Sequence, residues 1–124
     1  MIRISAFLLI LLVPSLALAE EGCPKTISIG GALTEIIYKL DKQDCLVGAD
    51  TTSTYPAAAK ELPMVGYQRQ LSAEGVLSLG PELIIHTEQA GPPPGLEQID
   101  QAGIKRMPFE DVPSIDGVIA KIRA

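Results

Sequence analysis

The chain has 124 residues, 15 acidic and 10 basic side chains, and a formal net charge of −5. That length allows one domain of ordinary size but not two, and the acidic balance excludes a nucleic-acid surface built on basic patches. Hydrophobic residues at 47% exclude wholesale disorder, while 4% aromatics and no Trp leave few rings for stacking on bases or sugars.

Met1-Ile2-Arg3 forms a short positive end, and Ile4 to Val13 is almost wholly apolar. Pro14 breaks the run, and Ala17-Leu18-Ala19 sets small residues where a signal peptidase cuts. The pattern predicts a secretory signal over residues 1–19 and a mature domain over residues 20–124. The apolar run is short for a membrane span of roughly 20 residues, which weighs against an uncleaved anchor. Glu20-Glu21-Gly22 before Cys23 lacks the apolar residue of a lipid-attachment box. The expected product is a soluble exported protein, most simply a periplasmic one. In an oxidising compartment, two cysteines suggest a disulfide. Cys23 and Cys45 each shortly precede a predicted strand, so parallel pairing of those strands brings both to one end of a sheet.

Strand-like and helix-like runs alternate along the mature chain. Thr26 to Ile29 is short and β-branched, and Gly30-Gly31 ends it. Leu33, Ile36, Ile37 and Leu40 then recur at helical spacing. Leu46-Val47-Gly48 reads as a second strand, Tyr55 to Leu62 as a short helix begun by Pro56, and Met64-Val65 as a brief third strand. Ser72 is a helix cap before Ala73, Glu74, Val76, Leu77 and Leu79, and Gly80-Pro81 stops that helix. Leu83-Ile84-Ile85 is a buried-type strand. Pro94 to Ala102 reads as a helix, Ile104 to Phe109 as a strand, and Ser114 onward as a last helix through Ile115, Val118, Ile119 and Ile122. This alternation predicts an α/β, Rossmann-like lobe with a mostly parallel sheet and helices on both faces.

In an open α/β sheet the ligand side lies beyond the carboxyl ends of the strands. Three segments converge there. Gly30-Gly31-Ala32 opens a helix, and its amides either receive a polar or anionic group or simply form a tight turn. Gly66-Tyr67-Gln68-Arg69 follows the third strand. His86 to Gly91 follows the fourth. Tyr67 is the most informative residue: its phenolate could ligate ferric iron, with Arg69 easing the negative charge, or its ring could pack with the hydroxyl in water. His86 is the only histidine, so no Cys/His zinc cluster is available; it reads as a partly buried strand-end residue, with an approach to iron as the alternative. Glu35 reads as a first-turn helix charge and Glu88 as part of a solvated loop. No nucleophile elbow or acid–base pair supports catalysis.

Gly30-Gly31-Ala32-Leu33-Thr34-Glu35-Ile36-Ile37-Tyr38, Asp50-Thr51-Thr52-Ser53-Thr54-Tyr55-Pro56 and Gly66-Tyr67-Gln68-Arg69-Gln70-Leu71-Ser72-Ala73-Glu74-Gly75, continued by Leu83-Ile84-Ile85 and Ala90-Gly91-Pro92-Pro93, resemble the substrate-binding proteins of bacterial haem ABC importers. The resemblance covers nearly all of the mature chain. It implies the amino-terminal lobe of a helical-backbone periplasmic carrier that hands haem to an inner-membrane permease. It places the iron ligand at Tyr67, with Arg69 close by and Gly30, Gly31 and Gly91 around the ligand. Glu74 matches the surface glutamate through which the wider class, including cobalamin and siderophore carriers, docks on its permease. That class has two lobes joined by a long helix, so the chain is expected to be truncated after the first lobe, with a separate chain as one source of the second. The alternatives to haem are cobalamin or a ferric siderophore; a small exported hydrolase is the alternative from another class.

Overall fold

A computed structural model of the chain describes residues 22–124. The export segment expected over residues 1–19 lies outside the described residues. Four parallel strands form the central sheet: β1 (Thr26–Ile29), β2 (Leu46–Ala49), β5 (Leu83–Thr87) and β6 (Lys105–Phe109), in the order β2-β1-β5-β6. Two-residue strands β3 (Gly66–Tyr67) and β4 (Gln70–Leu71) make a separate antiparallel hairpin. The helices are α1 (Gly31–Lys39), α2 (Ala73–Ser78), α3 (Pro93–Gln101) and α4 (Ile115–Arg123).

The two sheet faces are built differently. On one, Ile27, Ile29 and Ile84 pack with Val76 of α2 and Ile99 of α3, all fully buried. On the other, β1 presents Ser28, whose hydroxyl accepts from Thr34 of α1 at 2.9 Å. The α4 helix lies beside α1 on this second face. Helices therefore cover both faces, and α/β order with parallel strands follows from the alternating apolar runs. A groove of about 510 Å³ runs between α1 and α4, lined by Ile36, Leu40, Val118 and Ile122.

Local capping agrees with the sequence. Ser72 accepts the Gly75 N–H at 3.0 Å, and Ser114 accepts that of Gly117 at 3.0 Å. The segment after Pro56 forms a 3-10 helix over Ala57–Glu61, not an α-helix. The expected third strand is reduced to a single parallel bridge from Met64 to Ala49. The chain then turns away at Gly66, whose φ of +102° suits glycine and would strain a side chain. Glu35 lies in the second turn of α1 and not the first, because the helix already begins at Gly31.

Cys23 and Cys45 are disulfide-bonded, with Cα atoms 5.5 Å apart. They precede β1 and β2, which are parallel neighbours, as the sequence reading requires. Closing a loop of 22 residues stabilises the fold by roughly 3 kcal/mol on the chain-entropy model.

Candidate functional site

Strand order places the site. From β1 the chain steps outward to β2, then returns across β1 to β5 and onward to β6. Connections therefore diverge between β1 and β5, and it is beyond the carboxyl ends of strands at such a point that open α/β sheets have their ligand crevice. Gly30 leaves β1 there with a φ of +117°, and a Cβ at this position would sit 2.7 Å from Thr87 Cγ2 of β5. Only glycine fits so close an approach in that backbone conformation.

The hairpin carrying Tyr67 is fastened over this crevice. Gly91 donates its N–H to Gln68 O at 2.9 Å and accepts the Leu71 N–H at 2.8 Å. Thr87 Oγ1 donates to Gln68 Oε1 at 3.2 Å. Thr51 N donates to Gly66 O at 2.9 Å, on the other flank. Tyr67 remains 42% exposed, on the same edge of the sheet as the amino end of α1. Tyr55, in the loop after β2, is 58% exposed. Met64 is also exposed, so the carboxyl edge offers water several apolar and aromatic surfaces. Sequence reading did not single out Tyr55 as a site residue, although an aromatic in the loop after a strand on the ligand side is the signal that finds it.

Gly30 and Gly31 lie at the crevice, but their amides are not free. Gly30 N donates to Asp50 Oδ1 at 2.9 Å, and Gly31 N to Thr52 Oγ1 at 3.0 Å. Leu33 and Thr34 N–H groups close back on Gly30 O. The Ala32 amide alone in this first turn has no protein partner among the described residues. Gly91 is buried behind the hairpin, with both backbone groups spent on bracing it. Arg69 is exposed and directs Nη2 to Gln89 Oε1. Gln89 in turn donates to Asp111 Oδ2 at 3.3 Å, and Asp111 Oδ1 accepts from Lys121 Nζ at 2.5 Å. A polar chain thus runs from the hairpin to α4. Glu74 is exposed in the first turn of α2, where the helix dipole favours its charge. Glu88 is exposed in the loop after β5.

His86 is buried, at 3% exposure, on the α2–α3 face. Its Nδ1 lies 2.8 Å from Thr87 O, and its Nε2 lies 3.0 Å from Arg106 Nη1. Arg106 also holds the Asp100 carboxylate with Nε and Nη2 at 2.6 and 2.7 Å. The arginine can only donate, so Nε2 accepts and Nδ1 carries the proton. Burial is the main cause that lowers the His86 pKa below its ordinary 6.5, with the Arg106 charge adding to it. The Asp100 carboxyl is held below its usual range by the Arg106 hydrogen bonds. Both ring nitrogens of His86 are occupied inside the protein, which matches a strand-end residue and leaves neither facing a ligand. No group of three or more His, Cys, Asp or Glu side chains that could hold a metal ion exists among the described residues. This edge therefore presents the exposed Tyr67 hydroxyl beside exposed apolar surface.

Residues 27–124 match the family model described as periplasmic binding protein. Among solved structures, the chain is similar to the periplasmic heme-binding protein BhuT in complex with two hemes: 47% identity, TM-score 0.76, covering 81% of this chain and 39% of that one. It is similar to a periplasmic heme binding protein from Pseudomonas aeruginosa: 45% identity, TM-score 0.76, covering 79% of this chain and 36% of that one. Among curated proteins it is 33% identical over 96 residues to the vitamin B12-binding protein of Vibrio vulnificus (strain CMCP6), covering 77% of this chain and 35% of that protein. The chain thus spans little more than a third of the length of these relatives. A match from Ile27 in β1 to the final residue, on a parallel sheet whose connections diverge beside Tyr67, makes the chain a member of the periplasmic binding protein family.

Proposed function

We propose that the chain is the amino-terminal lobe of a periplasmic haem carrier and that Tyr67 ligates the ferric iron. The observation that carries this reading is the exposed phenol of Tyr67 on a hairpin fastened over the crevice between β1 and β5. A ferric porphyrin asks a protein for an axial donor and an apolar wall. A phenolate is a hard anionic donor of a type found on haem iron, and Tyr55, Met64 and the Tyr67 ring supply apolar surface at the same edge. Arg69, tethered through Gln89, keeps a positive charge two residues from the ligand. Gly30, Gly31 and Gly91 serve the site as its frame, by permitting close backbone approach and bracing the hairpin.

Haem is favoured over cobalamin because the two haem-binding structures share 47% and 45% identity with this chain, against 33% for the B12-binding relative. The hydrolase alternative finds no support in a family of binding proteins. In this reading one lobe covers one side of the haem. A second lobe, in the same polypeptide or another, closes the cleft, and Glu74 on the exposed start of α2 meets an inner-membrane ABC permease. Export through a signal over residues 1–19 brings the lobe to the periplasm.

Competition titration tests the ligand class. Ferric haem is expected to bind and to resist displacement by a tenfold excess of cobalamin or of a ferric siderophore. Displacement of haem by equimolar cobalamin would overturn the assignment.

A further inference from the structure

We infer that Asp50 is the positioning residue that holds Tyr67 in register with the amino end of α1; its importance to a ligand rests on the haem reading above. Asp50 follows β2 and is fully buried. Carboxyl oxygens so placed need their acceptor sites filled by donors, and they are. Oδ1 accepts from Gly30 N at 2.9 Å and from Ser53 Oγ at 3.1 Å. Oδ2 accepts from Thr52 N at 3.1 Å and Thr52 Oγ1 at 2.8 Å. Ser53 Oγ in turn lies 2.7 Å from Thr34 Oγ1 of α1, which donates to Ser28 of β1.

This one carboxylate organises two neighbours. On one side it holds the Gly30 amide at the start of α1, where the N-cap residue is a glycine with no side chain of its own. On the other it shapes the 50–53 turn, so that the Thr51 N–H reaches Gly66 O, the carbonyl just before Tyr67. The distance between the helix end and the tyrosine hairpin is therefore set by a buried side chain that need not touch the ligand. An amide cannot substitute. Asn carries one acceptor oxygen and an NH₂ group, so in either orientation a donor faces Gly30 N–H or Thr52 N–H. A buried donor left without an acceptor destabilises the turn that carries it.

The test uses the full chain as wild type, Asp50→Asn and Thr52→Val, the last removing a single hydroxyl from the cluster. Amide hydrogen exchange is followed first without ligand. In Asp50→Asn, exchange at the Gly30 and Thr51 N–H groups is expected to quicken at least tenfold, and at Leu71 in the hairpin at least threefold. In Thr52→Val the Gly30 and Thr51 N–H groups quicken about threefold, while Ile84 in β5 stays within twofold of wild type in both. Ferric haem added to Asp50→Asn is expected to bind at least tenfold more weakly, with a shifted Tyr67-dependent charge-transfer band. A role confined to stability would leave that band unchanged in the folded fraction. Wild-type exchange at Thr51 and Leu71 in a folded Asp50→Asn, or wild-type haem affinity and spectrum there, would overturn the proposal. If Asp50→Asn does not fold, Thr52→Val decides on the same amides. If the wild-type chain takes up no haem but exchange quickens as expected, the haem reading fails and the coupling of Asp50 to the hairpin stands.

Discussion

The two faces of the sheet use different physics. Under α2 and α3 the core contacts are aliphatic, Ile27, Ile29 and Ile84 against Val76 and Ile99 with no exposure, and the polar His86–Arg106–Asp100 group lies at their edge. Under α1 the contacts nearest the crevice are a hydroxyl network, Ser28–Thr34–Ser53, ending on the Asp50 carboxylate. Apolar contacts are non-directional and scale with area, so they set stability. Hydrogen bonds add little net stability but fix direction, so the α1 face sets geometry at the rim. The hairpin that carries Tyr67 meets both: Leu71 packs into the aliphatic cluster, while Gly66 O is held by the Thr51 N–H of the turn on the α1 side. The α1–α4 side also leaves apolar surface uncovered, with Ile115 81% exposed and Val118, Ile119 and Ile122 exposed beside it.

The largest expected effect follows from this contrast. Ile84→Ala, in the middle of the dry face, should cost about 3 kcal/mol, as large-to-small core changes do. That is on the order of 12–24 °C in Tm for a domain of this size. Thermal unfolding checks it, and a fall of only a few degrees would mean that this face is not the main source of stability.

A smaller effect comes from His86 on the same face. It is held neutral in the fold, with its pKa below the ordinary 6.5. The unfolded chain then binds the extra proton first as pH falls. The stability this gives is fully present above pH 6.5 and is lost as pH falls through the lowered folded value. Urea midpoints should be flat from pH 8 to 7 and decline below 6.5, and His86→Gln should flatten the decline between pH 6.5 and 5. An equal decline in the variant would assign it to other groups.

The smallest effect on stability is expected at α4. Ile115→Ser should change stability by less than about 0.5 kcal/mol, as exposed substitutions do, while lowering any concentration-dependent association measured by sedimentation. A loss above 1 kcal/mol would show that this apolar stripe is packed in solution.

Legibility in the sequence divides along similar lines. The four sheet strands and four helices could be read because period and punctuation are local: β-branched runs closed by Gly30-Gly31, and caps at Ser72 and Ser114. The disulfide could be read because Cys23 and Cys45 each precede a strand of a parallel pair. The hairpin could not. Its position rests on backbone bonds with Gly91 and Thr51 and on the Thr87 hydroxyl, which are distant in sequence, and Gly66 turns the chain out of the expected third strand. The Gly30 and Gly31 amides looked available from local pattern alone. Their partners, Asp50 and Thr52, lie about twenty residues on, and nothing in the first segment signals them. Tyr67 could be picked out as an amphipathic residue after a glycine, but its bracing by Gln68 and the Arg69–Gln89 tether belong to the folded chain alone.

The phenol of Tyr67 carries the proposed haem ligation, and the absorption spectrum of the chain mixed with ferric haem tests it most directly. Wild type is expected to show a phenolate-to-iron charge-transfer band that is absent in Tyr67→Phe, with affinity at least tenfold lower in the variant. The same band and the same affinity in Tyr67→Phe would contradict it.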